Sequence, residues 1–286
     1  MSVKTQAQSK FINTNGIKLH YLDYPGEGQT LILTHGLTAN AWSLDPLARR
    51  LSPAFHVLAV DMRGRGLSDK PSTGYTLPDV AGDFLGLMDA FGIQKGIVGG
   101  HSSGAFLTLF MAATYPERVS KAILLDGGLV HPKAAELIGP SLTRLGKVYP
   151  SWEDYLQTVK QSPELRGWWD SNLEDYFRAD VEIQADGSVV RRATPEVISQ
   201  VLAGQAQLNL LDLFGKVKQP TLLVNAPGPY GQGDAPALMP EEQGRLTAQK
   251  IANCRYVQVS GNHMTMLYSP AVDKIAEAIS DFVRND

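Results

Sequence analysis

The chain has 286 residues, with 26 Lys+Arg against 29 Asp+Glu and a formal net charge of −3. Near-neutral charge removes the electrostatic case for a nucleic-acid partner or an anionic membrane surface, and no run approaches the ~20 apolar residues that span a bilayer. The single Cys254 excludes an intramolecular disulfide, and no Cys/His cluster has the spacing of a zinc site.

Short β-branched and Leu-rich runs alternate along the chain with longer amphipathic stretches. The runs are Ile17–Leu22, Thr30–Leu33, His56–Val60, Gly96–Val98, Ala122–Leu125, Thr221–Val224 and Tyr256–Val259. From Thr30 onward they are continuously apolar, as strands buried on both faces are. Between them, Val80, Phe84, Leu87, Met88 and Phe91 recur at helical spacing, as do Val272, Ile275, Ala276, Ile279 and Phe282. This alternation predicts an α/β fold with a mostly parallel sheet and helices on both faces. Asn15-Gly16 is a hairpin signal between the first two strands, so the sheet is expected to begin antiparallel.

The rhythm breaks between about Gly128 and Gly215, where no buried strand is evident. Ser151-Trp152-Glu153-Asp154 is a helix start of the capping-box kind, and Thr194-Pro195 supplies an N-cap with proline at the first helical position. We therefore expect a helical insertion over residues 128–215, lying above the edge where open α/β sheets bind ligands. The sheet and its helices then comprise residues 1–127 and 216–286.

Gly100-His101-Ser102-Ser103-Gly104 stands between the run ending at Val98 and an apolar helix beginning near Ala105. A strand, a sharp turn and a helix would force Ser102 into a strained backbone, with small residues needed two positions either side. The strain lifts the hydroxyl clear of the sheet, and the helix N-terminus favours negative charge developing beside it. The pentapeptide alone is a common string; its position in the alternating pattern gives it weight.

With these features the chain resembles the α/β-hydrolase fold family over nearly its whole length. Thr34-His35-Gly36-Leu37 looks like the family's oxyanion-hole loop, and Asp61-Met62-Arg63-Gly64-Arg65-Gly66-Leu67-Ser68-Asp69-Lys70-Pro71 like its loop after the fourth strand. Gly261-Asn262-His263 follows the last strand, where the family places its histidine. The resemblance implies an eight-stranded sheet with a helical cap, Ser102 as nucleophile and His263 as base. It also implies backbone amides of Leu37 and Ser103 as donors to a tetrahedral oxyanion.

Of the other histidines, His20 and His56 lie within strands and read as packing or surface residues. His35 reads as a structural hydrogen-bonder and His131 as a possible pocket residue, while the His101 side chain is expected to point away from the pocket. The acid that orients the base is open. The family commonly carries it after the seventh strand, but here Asn225 ends that run and the first carboxylate beyond it is Asp234. Asp126, immediately after Ala122–Leu125, is the alternative that some relatives use, and a strand end holds a side chain more firmly than a long loop.

The predicted function is hydrolysis of a small-to-medium hydrophobic carboxylic ester or lactone through an acyl-enzyme on Ser102. Trp42, Met264, Trp152 and Trp168, with Tyr155, are expected to line an apolar pocket. Alternatives are a C–C bond hydrolase or a perhydrolase on the same residues, or a ligand receptor without turnover. A C–C hydrolase would need an anion-binding arginine; Arg63 and Arg191 are the candidates, and both are expected at the surface. No metal or cofactor is implied. The Met1–Lys10 stretch lacks the apolar run of a secretory signal, so the expectation is a cytoplasmic monomer or homodimer acting on a small molecule.

Overall fold

Eight strands and the helices between them carry the site. In the computed structural model, which describes residues 6–165, 168–231 and 233–285, the chain opens with β1 (Gln8–Thr14), β2 (Ile17–Tyr24), β3 (Thr30–Thr34) and β4 (His56–Val60). β5 (Gly96–His101) and β6 (Val119–Leu125) follow. Three short strands then interrupt the pattern: β7 (Val148–Tyr149), β8 (Val181–Ile183) and β9 (Val189–Arg191). β10 (Thr221–Asn225) and β11 (Cys254–Gln258) complete the set. Part of the N-terminal stretch read above lies outside the described residues.

The main sheet has the order β1-β2-β4-β3-β5-β6-β10-β11. It begins antiparallel, as the Asn15-Gly16 turn predicts: β1 and β2 form a hairpin with both turn residues in the left-handed region (φ 49° and 76°). β2 also runs antiparallel to β4, and every later pairing is parallel. The parallel strands are the continuously apolar ones because helices cover both of their faces.

Those helices are α1 (Asp45–Leu51), α2 (Leu77–Ala90) and α3 (Ser103–Thr114) in the first part of the chain. The insertion carries α4 (Ala134–Leu142), α5 (Trp152–Lys160), α6 (Ser171–Asp180) and α7 (Pro195–Gln205), while α8 (Leu210–Lys216), which straddles its expected end at 215, packs on α3 beside the sheet. α9 (Glu241–Lys250) and α10 (Ala271–Asn285) return to the sheet. The predicted helical periods face inward: Val80, Phe84, Leu87 and Met88 of α2, and Val272, Ile275, Ile279 and Phe282 of α10, are all buried. Truncating one of these, such as Phe282 to alanine, would cost about 3–5 kcal/mol.

The stretch between β6 and β10 is not purely helical. β7, β9 and β8 form a small antiparallel sheet of two- and three-residue strands. Such strands are too short to register as apolar alternation, which is why the sequence reads as helical there. The caps fall as expected: Ser151 accepts from the Asp154 amide at the start of α5, and Thr194 from the Val197 amide at the start of α7.

Candidate active site

Parallel register brings the ends of β3, β5, β6, β10 and β11 to one edge. Thr34 pairs with Gly100, His101 with Leu125, and Asn225 with Gln258. The residues just beyond these positions, including Gly36, Ser102, Asp126, Ala226 and His263, leave the sheet on the same side.

Ser102 has φ 55° and ψ −115°, the strained turn its sequence context predicts. The flanking glycines follow from close approach of backbone to backbone. A Cβ on Gly100 would sit 2.3 Å from the Gly104 carbonyl carbon, and one on Gly104 would sit 2.8 Å from the His35 carbonyl oxygen. Neither fits. The crossing brings β3 against the start of α3, so the loop after β3 runs beside the serine.

His263 is held by Asp126. Its Nδ1 lies 2.7 Å from Asp126 Oδ2, and both side chains are buried. Asp126 Oδ1 accepts from Asn225 Nδ2 at 2.8 Å and from the Ala226 amide at 2.9 Å. Asp126 has φ 49°, a second left-handed residue at a strand end. Of the two carboxylates left open by the sequence, Asp126 thus meets the imidazole. Asp234 is exposed and makes no hydrogen bond to His263. Asn225 supports Asp126 from the neighbouring strand, with its own Oδ1 accepting from the Tyr256 hydroxyl at 2.7 Å.

His101 is a correction. It does not turn away: its ring lies 4.5 Å from the His263 ring at a tilt of 37°, and its Nε2 donates to the His263 carbonyl at 2.8 Å. Burial, followed by the nearby His263, drives its pKa well below the usual histidine value, so the ring is a neutral donor. Strand alternation fails as a guide here because Ser102 leaves extended geometry at the very next residue.

His35 is buried and neutral for the same reason, with its pKa lowered to about 4 chiefly by burial. Nδ1–H donates to the Gly36 carbonyl at 2.7 Å, and Nε2 accepts the Met62 amide at 3.1 Å. In a trans peptide the carbonyl and the following N–H point in opposite directions. Anchoring the Gly36 oxygen therefore aims the Leu37 N–H away from His35. A Cβ on Gly36 would lie 3.4 Å from the Ser102 Cβ. The Leu37 and Ser103 amides donate to no protein group among the described residues.

Ser102, His263, Leu37 and Met264 line one cavity, which encloses about 650 Å³ including the space at its mouth. Its far wall comes from the insertion, through Ile138, Ser141, Leu142, Arg144, Glu164, Tyr176 and Phe177. The insertion also grips the loops beneath it. Arg191 Nη2 donates to the Thr38 carbonyl at 2.8 Å, and Gln205 Nε2 to the Ser103 hydroxyl at 2.5 Å.

Several expected wall residues lie elsewhere. Trp42, on the turn before α1, packs against the main core instead of the cavity. Trp152 packs on Tyr155, ring centroids 5.9 Å apart, with the Arg178 guanidinium 4.8 Å from its ring. Trp168 sits edge-on to Tyr268 at 5.5 Å and lines a neighbouring cavity beside Pro229 and Asn262. Tyr155 is fully buried, donating to Asp180 at 2.6 Å. Trp168 thus joins the insertion to the body, while Trp152 and Tyr155 pack the insertion's own interior. His131 accepts a turn amide from Lys133 at 3.1 Å and does not reach the cavity.

Arg63 and Arg191 are buried, not superficial, because each is locked in a bidentate pair. Arg63 holds Asp83 through Nε and Nη2 at 2.7 and 2.5 Å, and Arg191 holds Asp180 through the same two atoms at 2.6 and 3.2 Å. His20 is buried between Asp61 at 2.7 Å and Ser9 at 2.9 Å, and His56 pairs with Asp23 at 2.8 Å.

Comparison with known proteins places this geometry. Residues 29–270 match the family model described as the alpha/beta hydrolase fold, and the chain belongs to that family. Over 101 residues it is 43% identical to 2-(acetamidomethylene)succinate hydrolase of Mesorhizobium japonicum, covering 35% of this chain but only 36% of that one. It is 28% identical over 275 residues to a putative non-heme haloperoxidase of Mycobacterium phage D29, covering 90% of this chain and 89% of the other. A crystal structure of E-2-(acetamidomethylene)succinate hydrolase shares the fold with a TM-score of 0.83 at 24% identity, over 97% of this chain and 99% of that one. No helix among the described residues is long and apolar enough to cross a membrane.

Proposed function

We propose that the protein is a serine hydrolase that cleaves a small carboxylic ester or lactone through an acyl-enzyme on Ser102. The observation that carries this reading is the buried 2.7 Å contact from His263 Nδ1 to Asp126, on the cavity that Ser102 also lines. With Asp126 accepting at Nδ1, the tautomer left to His263 has a free lone pair on Nε2, the atom available to a serine hydroxyl.

In this reading Ser102 Oγ attacks the carbonyl carbon while His263 Nε2 takes its proton. Negative charge on the carbonyl oxygen is met by the Leu37 and Ser103 amides, and one such donor is worth about 3–4 kcal/mol in the transition state. The tetrahedral adduct collapses, and the imidazolium returns its proton to the departing alkoxide. A water, activated by the same nitrogen, then releases the acid. A carboxylate nucleophile is absent from the elbow, which disfavours chemistry through an alkyl-enzyme ester.

The likeness to a chain named as a haloperoxidase favours a second reading, in which hydrogen peroxide instead of water intercepts the acyl-enzyme and releases a peracid. One experiment addresses both. Mixing with p-nitrophenyl acetate should give a burst of nitrophenolate and an acetylated protein by intact mass, both absent in Ser102→Ala. Adding peroxide should then divert product to peracetate only if the second reading holds. A rate undiminished in Ser102→Ala would end both.

A further inference from the structure

Among four arginines buried at or beneath the insertion, two are incompletely matched: Arg65, whose Nε and Nη1 have no partner among the described residues but which lies away from the Ser102 cavity, and Arg144. Arg63 and Arg191 each present the edge formed by Nε and Nη2 to an aspartate, with both nitrogens engaged. Arg144 is also buried, at 8% exposure, yet the same edge is only half used and loosely so. Its Nη1 donates to the Ser162 hydroxyl at 2.7 Å, and its Nη2 reaches Ser141 Oγ and Glu164 Oε1 only at 3.4 Å. Nε is buried and has no partner among the described residues. Its counter-charge, Glu164, is held at 3.4 Å where the pairs of Arg63 and Arg191 close to 2.5–2.7 Å, and a buried guanidinium with a loose pair and an unmatched nitrogen is costly.

Arg144 lines the cavity that Ser102 and His263 line. We propose that the Nε/Nη2 edge of Arg144 receives a carboxylate of the substrate, so that the esters this protein cleaves are half-esters of dicarboxylic acids or lactones bearing an acid group. A planar carboxylate fits that edge through two parallel N–H···O contacts, the arrangement Asp83 and Asp180 already show on its two neighbours. Glu164, at 3.4 Å from Nη2, is a loose occupant that a substrate carboxylate displaces or shares the fork with, and it penalises anions until it moves. The polar end formed by Arg144 qualifies the largely apolar pocket expected from the sequence. Met264, Ile138 and Leu142 supply apolar surface in the same cavity.

The proposal rests on the ester-hydrolase reading for its kinetic arm only. In that arm, monomethyl succinate, glutarate and adipate are compared with methyl butyrate, pentanoate and hexanoate by proton release. At least one acid ester should exceed its neutral counterpart tenfold or more in kcat/KM. Arg144→Gln should reduce that ratio at least tenfold, mainly through KM. Arg144→Lys should recover little of it, because an ammonium keeps the charge but not the fork. Glu164→Gln should raise the ratio.

The second arm needs no turnover: glutarate titrated calorimetrically into the Ser102→Ala protein should bind, and binding should weaken at least tenfold when Arg144→Gln is added. A wild type that prefers neutral esters, an unchanged ratio in folded Arg144→Gln or Arg144→Lys, or glutarate binding indifferent to Arg144 would overturn the proposal. Should no ester be turned over while glutarate still binds through Arg144, the reading of the bond cleaved fails and the carboxylate site stands.

Discussion

Asn225 hands its side-chain amide to Asp126 at 2.8 Å across the ends of two adjacent strands. An amide at the end of β10 thus braces the carboxylate one strand over. Both Asp126 oxygens are engaged, one by His263 and the other by Asn225 and the Ala226 amide. Asp126→Asn would offer a donor where His263 Nδ1–H needs an acceptor and would favour the wrong tautomer. We expect kcat on p-nitrophenyl acetate to fall by about 10⁴ with the fold intact. Asp234→Asn should leave kcat unchanged, and a comparable loss there would refute the assignment.

The grip of the insertion on the oxyanion loops predicts a kinetic effect from outside the immediate site. Gln205→Ala frees the Ser103 hydroxyl and loosens the first turn of α3, whose amide we assign to the oxyanion. Slight misplacement of such a donor is costly, so kcat should drop about tenfold with KM little altered. A change confined to KM would show that Gln205 serves binding instead.

Arg191 is expected to matter for stability first. Burial alone would favour loss of its proton, and Asp180 outweighs that, keeping the guanidinium charged. Arg191→Met would strand the Asp180 carboxylate in the interior and remove the donor to the Thr38 carbonyl. Urea unfolding should show a loss of about 3–5 kcal/mol. Double substitution with Asp180→Leu should recover much of it, and a double mutant as weak as the single would contradict this account.

Acid sensitivity follows from two histidines kept neutral. The folded protein holds His35 near a pKa of about 4 against an ordinary 6.5, and His101 is lowered as well. Between those limits the unfolded chain binds protons that the folded one refuses, so stability rises with pH across the window. It should be undiminished by these groups above about pH 6.5 and decline as pH falls toward 4, with His35 alone contributing about 3 kcal/mol. Urea midpoints measured from pH 4 to 7.5 should show that slope, and His35→Gln should flatten it. An unaltered slope in the variant would point to other groups.

Much of the fold was legible because its signals are local. Parallel strands buried on both faces read as apolar runs, Asn15-Gly16 reads as a hairpin, and the glycines around Ser102 record a backbone crossing. His263 was legible from its place after the last strand. Asp126 stood beside Asp234 as an open choice, since sequence spacing does not say which carboxylate a folded loop brings to an imidazole. What escaped depends on tertiary matching. β7, β8 and β9 are too short to show a period. Trp42, Trp152 and Trp168 are equally plausible as wall or as packing until the insertion is docked. Nothing local distinguishes Arg144 from Arg63 and Arg191; the difference is which of their donors the rest of the protein leaves unmatched.

Ser102 stands at φ 55°, a conformation that glycine enters freely and other L residues resist by about 1–2 kcal/mol. The hydroxyl is exposed to substrate by a kink that the native structure must continually enforce. A protein with glycine at 102 would be chemically inert yet should melt a few degrees higher than its parent. On the proposed mechanism, reactivity and thermal endurance compete at this one residue, and any programme to toughen the scaffold must find its gains away from that kink.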